Sequence, residues 1–199
     1  MQKVQAEGII TKASPAGEND RILSLFTPDH GLVKLYVKGA YLSNKSKGSS
    51  TNPLNIVEAI YTQGRSDLCS CYQIDVINPQ IELRKNLEIL EAACDMLNAI
   101  NATQLPGKAA QKLYQLLIYY LKMLPKIGSP LTISSSFRLK TLRHEGLLND
   151  SRLFPMSAEE QQLIEVLTLC RDFSLLSQLT LEPSLAVKIK EFFNSILEK

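Results

Sequence analysis

The stretch GLVKLYVKGA, residues 31–40, decides the fold of the N-terminal part of the chain. Its residues alternate between apolar and mixed positions, which predicts a β-strand at 32–40 with one buried face. The face expected to point inward carries Val33, Leu35 and Val37. The opposite face carries Leu32, Lys34, Tyr36 and Lys38. Because this outward face is basic and aromatic, it is the first candidate for a binding surface.

Four further β-rich runs lie around this strand, at residues 4–12, 21–27, 56–62 and 68–77. Pro28-Asp29-His30-Gly31 separates the second run from the third and is a turn signal, since proline and glycine supply the dihedral angles that a turn needs. Five short strands with one long connection, between the third and the fourth, predict a small closed barrel. The spacing agrees with an OB-type barrel, and an SH3-like barrel would fit nearly as well.

Residues 79–199 carry apolar side chains at helical spacing instead. We predict helices over 87–100 and 113–124, a third that begins after the serines at 134–136 and stops at Gly146, a fourth opened by Ser157 and Glu160, and a last one that starts at Pro183. The predicted fold class is α+β. An OB-type nucleic-acid-binding barrel in residues 1–78 is followed by an all-helical domain in residues 79–199.

Composition excludes several classes of protein. The chain has 199 residues, of which 45% are hydrophobic and 21% charged, as in ordinary globular proteins. Its longest apolar run, residues 116–121, is far shorter than the ~20 residues that cross a bilayer. The first ten residues lack the charged-then-apolar pattern of a secretion signal. We therefore expect a cytoplasmic protein that does not enter a membrane.

Catalytic and metal-binding motifs are missing from the sequence. It contains no phosphate-binding glycine loop and no nucleophile elbow. His30 and His144 have no partner implied by their spacing. The four cysteines, which do not follow a metal-ligand spacing, are best interpreted as structural: Cys69, Cys71, Cys94 and Cys170. The sequence therefore predicts a protein that is not an enzyme and that holds no metal and no cofactor.

Binding residues are easier to propose, because lysines are concentrated where acids are missing. Residues 30–57 contain four lysines and no Asp or Glu. On the outward face of the third strand, Tyr36 could stack on a base while Lys34 and Lys38 meet phosphates. Such contacts carry no code for particular bases. The alternative is a solvated basic face with one exposed tyrosine.

The predicted DNA-facing residues extend this face into the loops around it. They are Arg21, Lys34, Tyr36, Lys38, Lys45 and Lys47, with Arg65 in the opposite hairpin. Arg21 could instead pair with Glu18 or Asp20 and hold the first loop in place.

The order of several motifs resembles a known family. GENDRIL at 17–23, Phe26-Thr27, His30-Gly31 and VKGA at 37–40 resemble the N-terminal signature of the RecO family of bacterial DNA repair proteins. A Ser/Lys-rich loop at 43–47 and Pro53-Leu54 continue the pattern. Residues 113–121 and 137–147 resemble two helices of the family's C-terminal domain. The resemblance is strong over residues 8–54 and collinear to about residue 150.

This resemblance implies an OB fold with a helical C-terminal domain, in a recombination mediator that catalyses no bond chemistry. It implies binding of single- and double-stranded DNA, annealing of complementary strands, and a location in the nucleoid. The partners it implies are RecR, the acidic C-terminal tail of single-strand-binding protein, and RecA, which the family helps to load. Many members carry a four-cysteine zinc hairpin, but residues 149–152 run almost straight into the next helix here. We therefore expect a short form that lacks the hairpin.

The third predicted helix offers a site for the acidic partner tail, because it combines apolar and cationic side chains. The candidates are Phe137, Arg138, Lys140 and Arg143. This helix closes an acid-free stretch at 96–144, so no carboxylate nearby in sequence competes for its cations. The family's basic pair is replaced here by Ser135 and Ser136, and an ordinary helix with solvated cations is the alternative.

A different class of function also fits the composition. The chain could be a protein-interaction adaptor with an OB-type barrel that does not bind nucleic acid. Its barrel and helices would then bind polypeptide, and its lysines would serve only solubility. DNA binding, or its absence, separates the two hypotheses.

Overall fold

The computed structural model describes residues 2–40, 49–63, 67–126, 128–148 and 156–198. Five strands come first: β1 Gln2–Ala16, β2 Asp20–Thr27, β3 Gly31–Val37, β4 Ile56–Gln63 and β5 Leu68–Asn78. Six α-helices follow: α1 Leu87–Thr103, α2 Gln111–Met123, α3 Pro130–His144, α4 Ala158–Leu169, α5 Phe173–Gln178 and α6 Pro183–Leu197. Short 3₁₀ helices cover Ile81–Arg84 and Leu124–Lys126.

The strands form a closed barrel in the order β1-β2-β3-β5-β4. Strand β1 is long enough to pair twice, with β4 along residues 2–9 and with β2 along residues 9–16. β3 and β5 pair in parallel and close the barrel, whereas the other pairs are antiparallel. The predicted five-stranded OB-type barrel is thus confirmed.

The barrel interior is an apolar core built by the alternation along the strands. From β2 and β3 it receives Leu23, Leu25, Leu35 and Val37, as the sequence predicts for β3. Tyr61 of β4 is enclosed with them, and burial raises the pKa of its hydroxyl to about 12. Because the side-chain period of a strand is two, this buried face fixes which residues of β2 and β3 point outward.

A second apolar layer lies on the outside of the barrel. Leu32 was expected on an open outward face, but it is buried. The reason is the chain segment 104–115, in which Pro106 bridges to Leu32. The ring of Tyr114 lies 5.8 Å from that of Phe26, and the N–H of Ala110 donates to the carbonyl of Pro28 at 3.0 Å. The free outward face of β3 therefore begins at Lys34.

The chain forms two compact units. One comprises Met1–Ile81 with Gln104–Gln115, and the other Glu82–Thr103 with Leu116–Lys199. The stretch 104–115, which sequence reasoning placed with the helices, thus belongs to the unit that contains the barrel. The end of the barrel near residue 78 remains our proposal for the domain boundary.

Helix α3 is the centre of the second unit, where it contacts α1, α4 and α6. It begins at Pro130, so the prediction that serines 134–136 precede its start was wrong. Proline at the first helical position presets the helical φ and needs no N–H partner there. The serines lie buried inside the helix, where Ser136 donates to the carbonyl of Leu167 at 2.6 Å and lies 3.1 Å from the hydroxyl of Tyr120.

The other helix ends follow their local signals. Ser157 and Glu160 form the predicted capping box. The backbone N–H of Glu160 donates to the hydroxyl of Ser157 at 3.2 Å, and the backbone N–H of Ser157 donates to the carboxylate of Glu160 at 2.9 Å. Gly146 adopts a φ of 72° just after α3, and Pro183 opens α6. Within the described part of the chain, no helix combines the length and the hydropathy that a membrane crossing requires.

The segment 104–115, which covers the outside of the barrel, leaves no room for a side chain at Gly31. Its φ is 61°, and a Cβ atom added there would lie 2.2 Å from the carbonyl oxygen of Lys108. Gly17 has a similar φ of 75° with nothing within 4 Å, so it is a matched control. We expect Gly17→Ala to lower the free energy of unfolding by about 1–2 kcal/mol. Gly31→Ala should cost about 1–3 kcal/mol more, because backbone must move. Urea denaturation measures both, and equal losses would contradict the close approach.

Candidate nucleic-acid interface

The outward face of β2 and β3 is set by their register. Lys34 lies opposite Ser24 of β2 and Leu68 of β5, and Tyr36 lies opposite Ile22 and Ser70. Lys34 is exposed and Tyr36 is half-buried. Lys38 is also exposed and follows directly after the end of β3. The structure therefore brings three predicted DNA-facing residues together on one side of the barrel: Lys34, Tyr36 and Lys38.

Asp20 holds this side of the barrel in place. Its carboxylate accepts a hydrogen bond from the backbone N–H of Gly39 at 2.7 Å, and a second one from the hydroxyl of Tyr36. These two bonds lower the pKa of Asp20, and the bond from Tyr36 raises the pKa of the tyrosine. The tyrosine ring is thus anchored at its hydroxyl end, and the turn that carries Lys38 is tied to the start of β2.

Arg21 does not share the face of Lys34 and Tyr36. It lies opposite Val37, whose side chain points into the barrel, so Arg21 belongs to the inward set at the end of the strand. Its guanidinium donates to Thr51 Oγ1 at 2.7 Å and to Asn52 Oδ1 at 3.3 Å. These bonds tie β2 to the segment before β4, which favours a structural role for Arg21, with partners other than the Glu18 or Asp20 expected from the sequence.

Three predicted DNA-facing residues lie outside the described residues: Lys45, Lys47 and Arg65. The same holds for residues 149–152, where we expect the zinc hairpin to be missing. These expectations stay predictions.

Two further side chains on this face were not selected from the sequence. Lys12 of β1 pairs with Ser24, and it is exposed beyond a register shift between Ile10 and Lys12. Tyr72 of β5 follows Ser70 by two residues and is 67% exposed. The alternation of Leu68 and Ser70 with Cys69 and Cys71 indicates the outward face of β5 up to Ser70, and Tyr72 lies at a register shift between β4 and β5. The outward position of Lys12 could not be predicted from the sequence, because the bulge shifts the alternation of β1.

A row of acids marks a different part of the barrel surface. Glu7 of β1 lies opposite Glu58 of β4, and Glu58 lies opposite Asp75 of β5. Glu7 also accepts a hydrogen bond from the hydroxyl of Tyr114 at 3.2 Å. An anionic ligand is therefore favoured on the side of Lys12, Lys34 and Lys38 and opposed where these carboxylates lie.

Metal ligands are not grouped in the described ranges, where no three His, Cys, Asp or Glu side chains could hold an ion together. The four cysteines are free thiols. Burial raises the pKa of Cys71 to about 11, which keeps that thiol protonated at neutral pH.

The predicted partner site on α3 is largely inside the helical unit. Phe137 is fully buried against the ring of Tyr120, 5.4 Å away. Arg138 is buried as well, and its Nη2 lies 2.8 Å from Oδ1 of Asp95 on α1. Desolvation lowers the pKa of Arg138, and Asp95 acts in the opposite direction. The sequence places no carboxylate near this cation along the chain. In the folded protein, packing of α1 on α3 brings the carboxylate of Asp95 next to Arg138.

The remaining two cations of α3 differ in exposure. The ammonium group of Lys140 donates to the carbonyl of Cys170 and lies 5.7 Å from the centre of the Tyr120 ring, and burial lowers its pKa. Arg143 is exposed. It lines a cavity of about 790 Å³ between the end of α3, α4 and α6, together with Leu148, Met156, Glu159, Glu165 and Phe192. The structure thus leaves Arg143 as the predicted cation best placed for a partner.

The Asp20 contacts make the barrel sensitive to acid. The pKa of Asp20 in the folded state lies below its ordinary value of 3.8, so the charged carboxylate stabilises the fold at higher pH. That contribution is lost as the pH falls through the lowered pKa. We expect Asp20→Asn to reduce the melting temperature at neutral pH, with a gap to wild type that closes under acid. Glu18→Gln, an exposed acid of the same turn, is the control. A gap that is constant with pH would contradict this role.

Comparison with known proteins shows which family this chain resembles. Residues 1–80 match the family model for the N-terminal domain of recombination protein O. The chain is 31% identical over 147 residues to the DNA repair protein RecO of Acetivibrio thermocellus, covering 73% of this chain and 58% of the relative. The RecO of Chlamydia trachomatis is 30% identical over 151 residues, covering 75% and 61%. The RecO of Chlamydia pneumoniae is 26% identical over 142 residues, covering 71% and 56%.

The chain thus spans a little over half the length of these curated relatives. Their similarity and the family match agree with the motifs of residues 17–40 and with the closed barrel that carries them. Residues 1–80 thus carry a RecO-type N-terminal domain, and about three quarters of the chain is similar to RecO proteins of DNA repair.

Proposed function

We propose that this protein is a recombination mediator in DNA repair, and that its barrel binds DNA through the outward face of β2 and β3. The observation that carries the proposal is the grouping of Lys12, Lys34 and Lys38 on one side of the RecO-type barrel, away from the row of Glu7, Glu58 and Asp75. In this function the protein holds and positions DNA and catalyses no bond chemistry.

The charges on this face suit the phosphate backbone. Side chains on one face of a strand repeat about every 7 Å, which is close to the spacing of phosphates in an extended single strand. Lysine contacts to phosphate position DNA without reading its sequence. We therefore expect the protein to bind single- and double-stranded DNA of any sequence.

The wider activity follows from the family. It includes annealing of complementary strands and loading of the recombinase RecA on DNA coated with single-strand-binding protein. RecR and the acidic C-terminal tail of single-strand-binding protein are the proposed protein partners. The proposed location is the cytoplasm, in association with the nucleoid.

Salt dependence tests the DNA-binding face. Each phosphate that is neutralised on a single strand contributes about −0.7 to the slope of log K against log salt concentration. We expect Lys34→Ala with Lys38→Ala to flatten the slope for an oligothymidine by about 1.4. Fluorescence anisotropy of a labelled strand gives the slope.

The control removes two exposed lysines of the helical unit, with Lys126→Ala and Lys190→Ala. The control should keep the slope of the wild type. A slope that changes as much in the control would show that the lysines act only through net charge. An adaptor that does not bind nucleic acid predicts no binding at any salt concentration.

For the acidic tail, we propose the cavity beside Arg143. A tail with carboxylates and an apolar end needs a cation and an apolar recess, and this cavity offers Arg143 with Leu148, Met156 and Phe192. Glu159 and Glu165 also line it, so the carboxylates of the tail would lie at the Arg143 end. Arg138 is a poorer choice, because its cation already pairs with Asp95.

Charge reversal at Arg143 tests this partner site. We expect Arg143→Glu to weaken an acidic peptide with an apolar end by about tenfold, which corresponds to about 1.4 kcal/mol. The single-strand affinity of the barrel should stay near that of the wild type. Arg171→Glu, which reverses an exposed arginine outside the cavity lining, is the matched control. Equal peptide affinities of the two variants, measured by calorimetry, would move the site elsewhere.

A further inference from the structure

We infer that Tyr36 and Tyr72 together form a stacking platform for two successive unpaired bases, so that this face of the barrel prefers single strands to duplex DNA. The inference rests on the proposed DNA-binding function. It adds Tyr72, a residue of β5, to a face that is otherwise built from β1, β2 and β3.

The parallel pairing of β3 with β5 places the two tyrosines close together. Tyr36 is paired with Ser70, and Val37 is paired with Cys71. Cys69 and Cys71 face the barrel interior, so Ser70 faces outward, on the same side as Tyr36. Tyr72 follows at a register shift of β5 against β4, and its 67% exposure shows that its side chain is turned to solvent. With strands about 4.8 Å apart and a two-residue step of about 7 Å, the Cα atoms of the two tyrosines are about 8 Å apart on the diagonal. That separation is within reach of two neighbouring bases of an extended strand.

The exposure of the two rings differs in a way that suits a platform. Tyr72 is 67% exposed, and no other tyrosine or phenylalanine among the described residues is as exposed. Tyr36 is half-buried, and its hydroxyl is bound by the carboxylate of Asp20. One ring is therefore held in place beside the lysines, while the other presents most of its surface to a ligand.

The charges around the two tyrosine rings limit where on the barrel surface a DNA strand can lie. Lys34 and Lys38 lie on β3 and just after it, beside Tyr36. On β5, Asp75 follows Tyr72 by three residues, accepts a hydrogen bond from Gln73 at 2.6 Å, and begins the acidic row with Glu58. A DNA strand is therefore repelled beyond Tyr72 and attracted toward β3.

Stacking on these rings requires bases that are free of a partner strand. Bases stacked inside a duplex cannot reach an aromatic side chain on a barrel surface, whereas every unpaired base offers a π-face. Lysine contacts to phosphate are available to both forms of DNA. The platform therefore increases affinity for single strands alone. This gain in affinity depends little on salt concentration.

Truncation of Tyr72 tests the platform. We expect Tyr72→Ala to weaken binding of an oligothymidine by about fivefold or more, with the salt slope unchanged. Binding of a duplex of equal length should change by less than about twofold. Tyr72→Phe keeps the ring and should bind like wild type. Tyr72→Leu keeps an apolar side chain of similar reach without a ring and should behave like Tyr72→Ala. Because the side chain is largely exposed, the melting temperature of each variant should stay that of the wild type.

A spectroscopic readout is independent of affinity. The chain contains no tryptophan, so Tyr72→Trp introduces a single reporter at this position. We expect single-stranded DNA to quench its fluorescence by stacking, and duplex DNA to leave it nearly unchanged.

The outcomes separate the platform from the proposed function. If Tyr72→Ala and Tyr72→Leu bind single strands like wild type while removal of Lys34 and Lys38 weakens them, the platform is refuted and the DNA-binding function stands. If Tyr72→Ala weakens single-strand and duplex binding equally, Tyr72 is a general contact and the preference is refuted. If the wild-type protein binds neither form of DNA, the proposed function itself fails.

Discussion

The parallel pairing of β3 with β5 is the interaction on which the rest of the barrel depends. It joins only Lys34–Val37 to residues 68–71, yet it closes the sheet that β1, β2 and β4 leave open. Closure puts Leu35 and Val37 into the core and leaves Lys34 and Tyr36 outside. A slip of one residue would exchange these two sets, burying a lysine and exposing a leucine. The stability of the core therefore also determines the composition of the binding face.

Neighbouring residues of β2 show how this constraint divides structural from functional roles. Asp20 and Arg21 are adjacent in sequence, but they point to opposite sides of the strand. Asp20 binds Tyr36 and Gly39 beside the outward face, whereas Arg21 bonds to Thr51 and Asn52 at the end of the barrel. Both residues belong to the motif that carries the family resemblance. Their contacts give each of the two charged residues partners within the unit that contains the barrel, although only one side of β2 faces the candidate DNA site.

The helical unit shows the same division for cations. Arg138, Lys140 and Arg143 lie within two turns of α3, but packing treats each differently. Arg138 is enclosed against Asp95, the ammonium group of Lys140 meets the carbonyl of Cys170, and Arg143 remains exposed beside a cavity. A buried arginine must be paired, because an unpaired charge in the interior is costly. A partner can therefore reach fewer of the positively charged side chains of α3 than the sequence suggests.

The sequence by itself determined the features that depend on neighbours a few residues apart. Alternation along residues 33–37, the capping box at Ser157 and the glycine stop after α3 were all predictable, because their interactions span at most about one turn or one strand step. Only the tertiary structure decided that Leu32 is covered by residues 104–115, that Asp95 pairs with Arg138, and that Ser70 of β5 lies beside Tyr36. These contacts join residues distant in sequence. Their partners are chosen by strand register and helix packing, which no local pattern encodes.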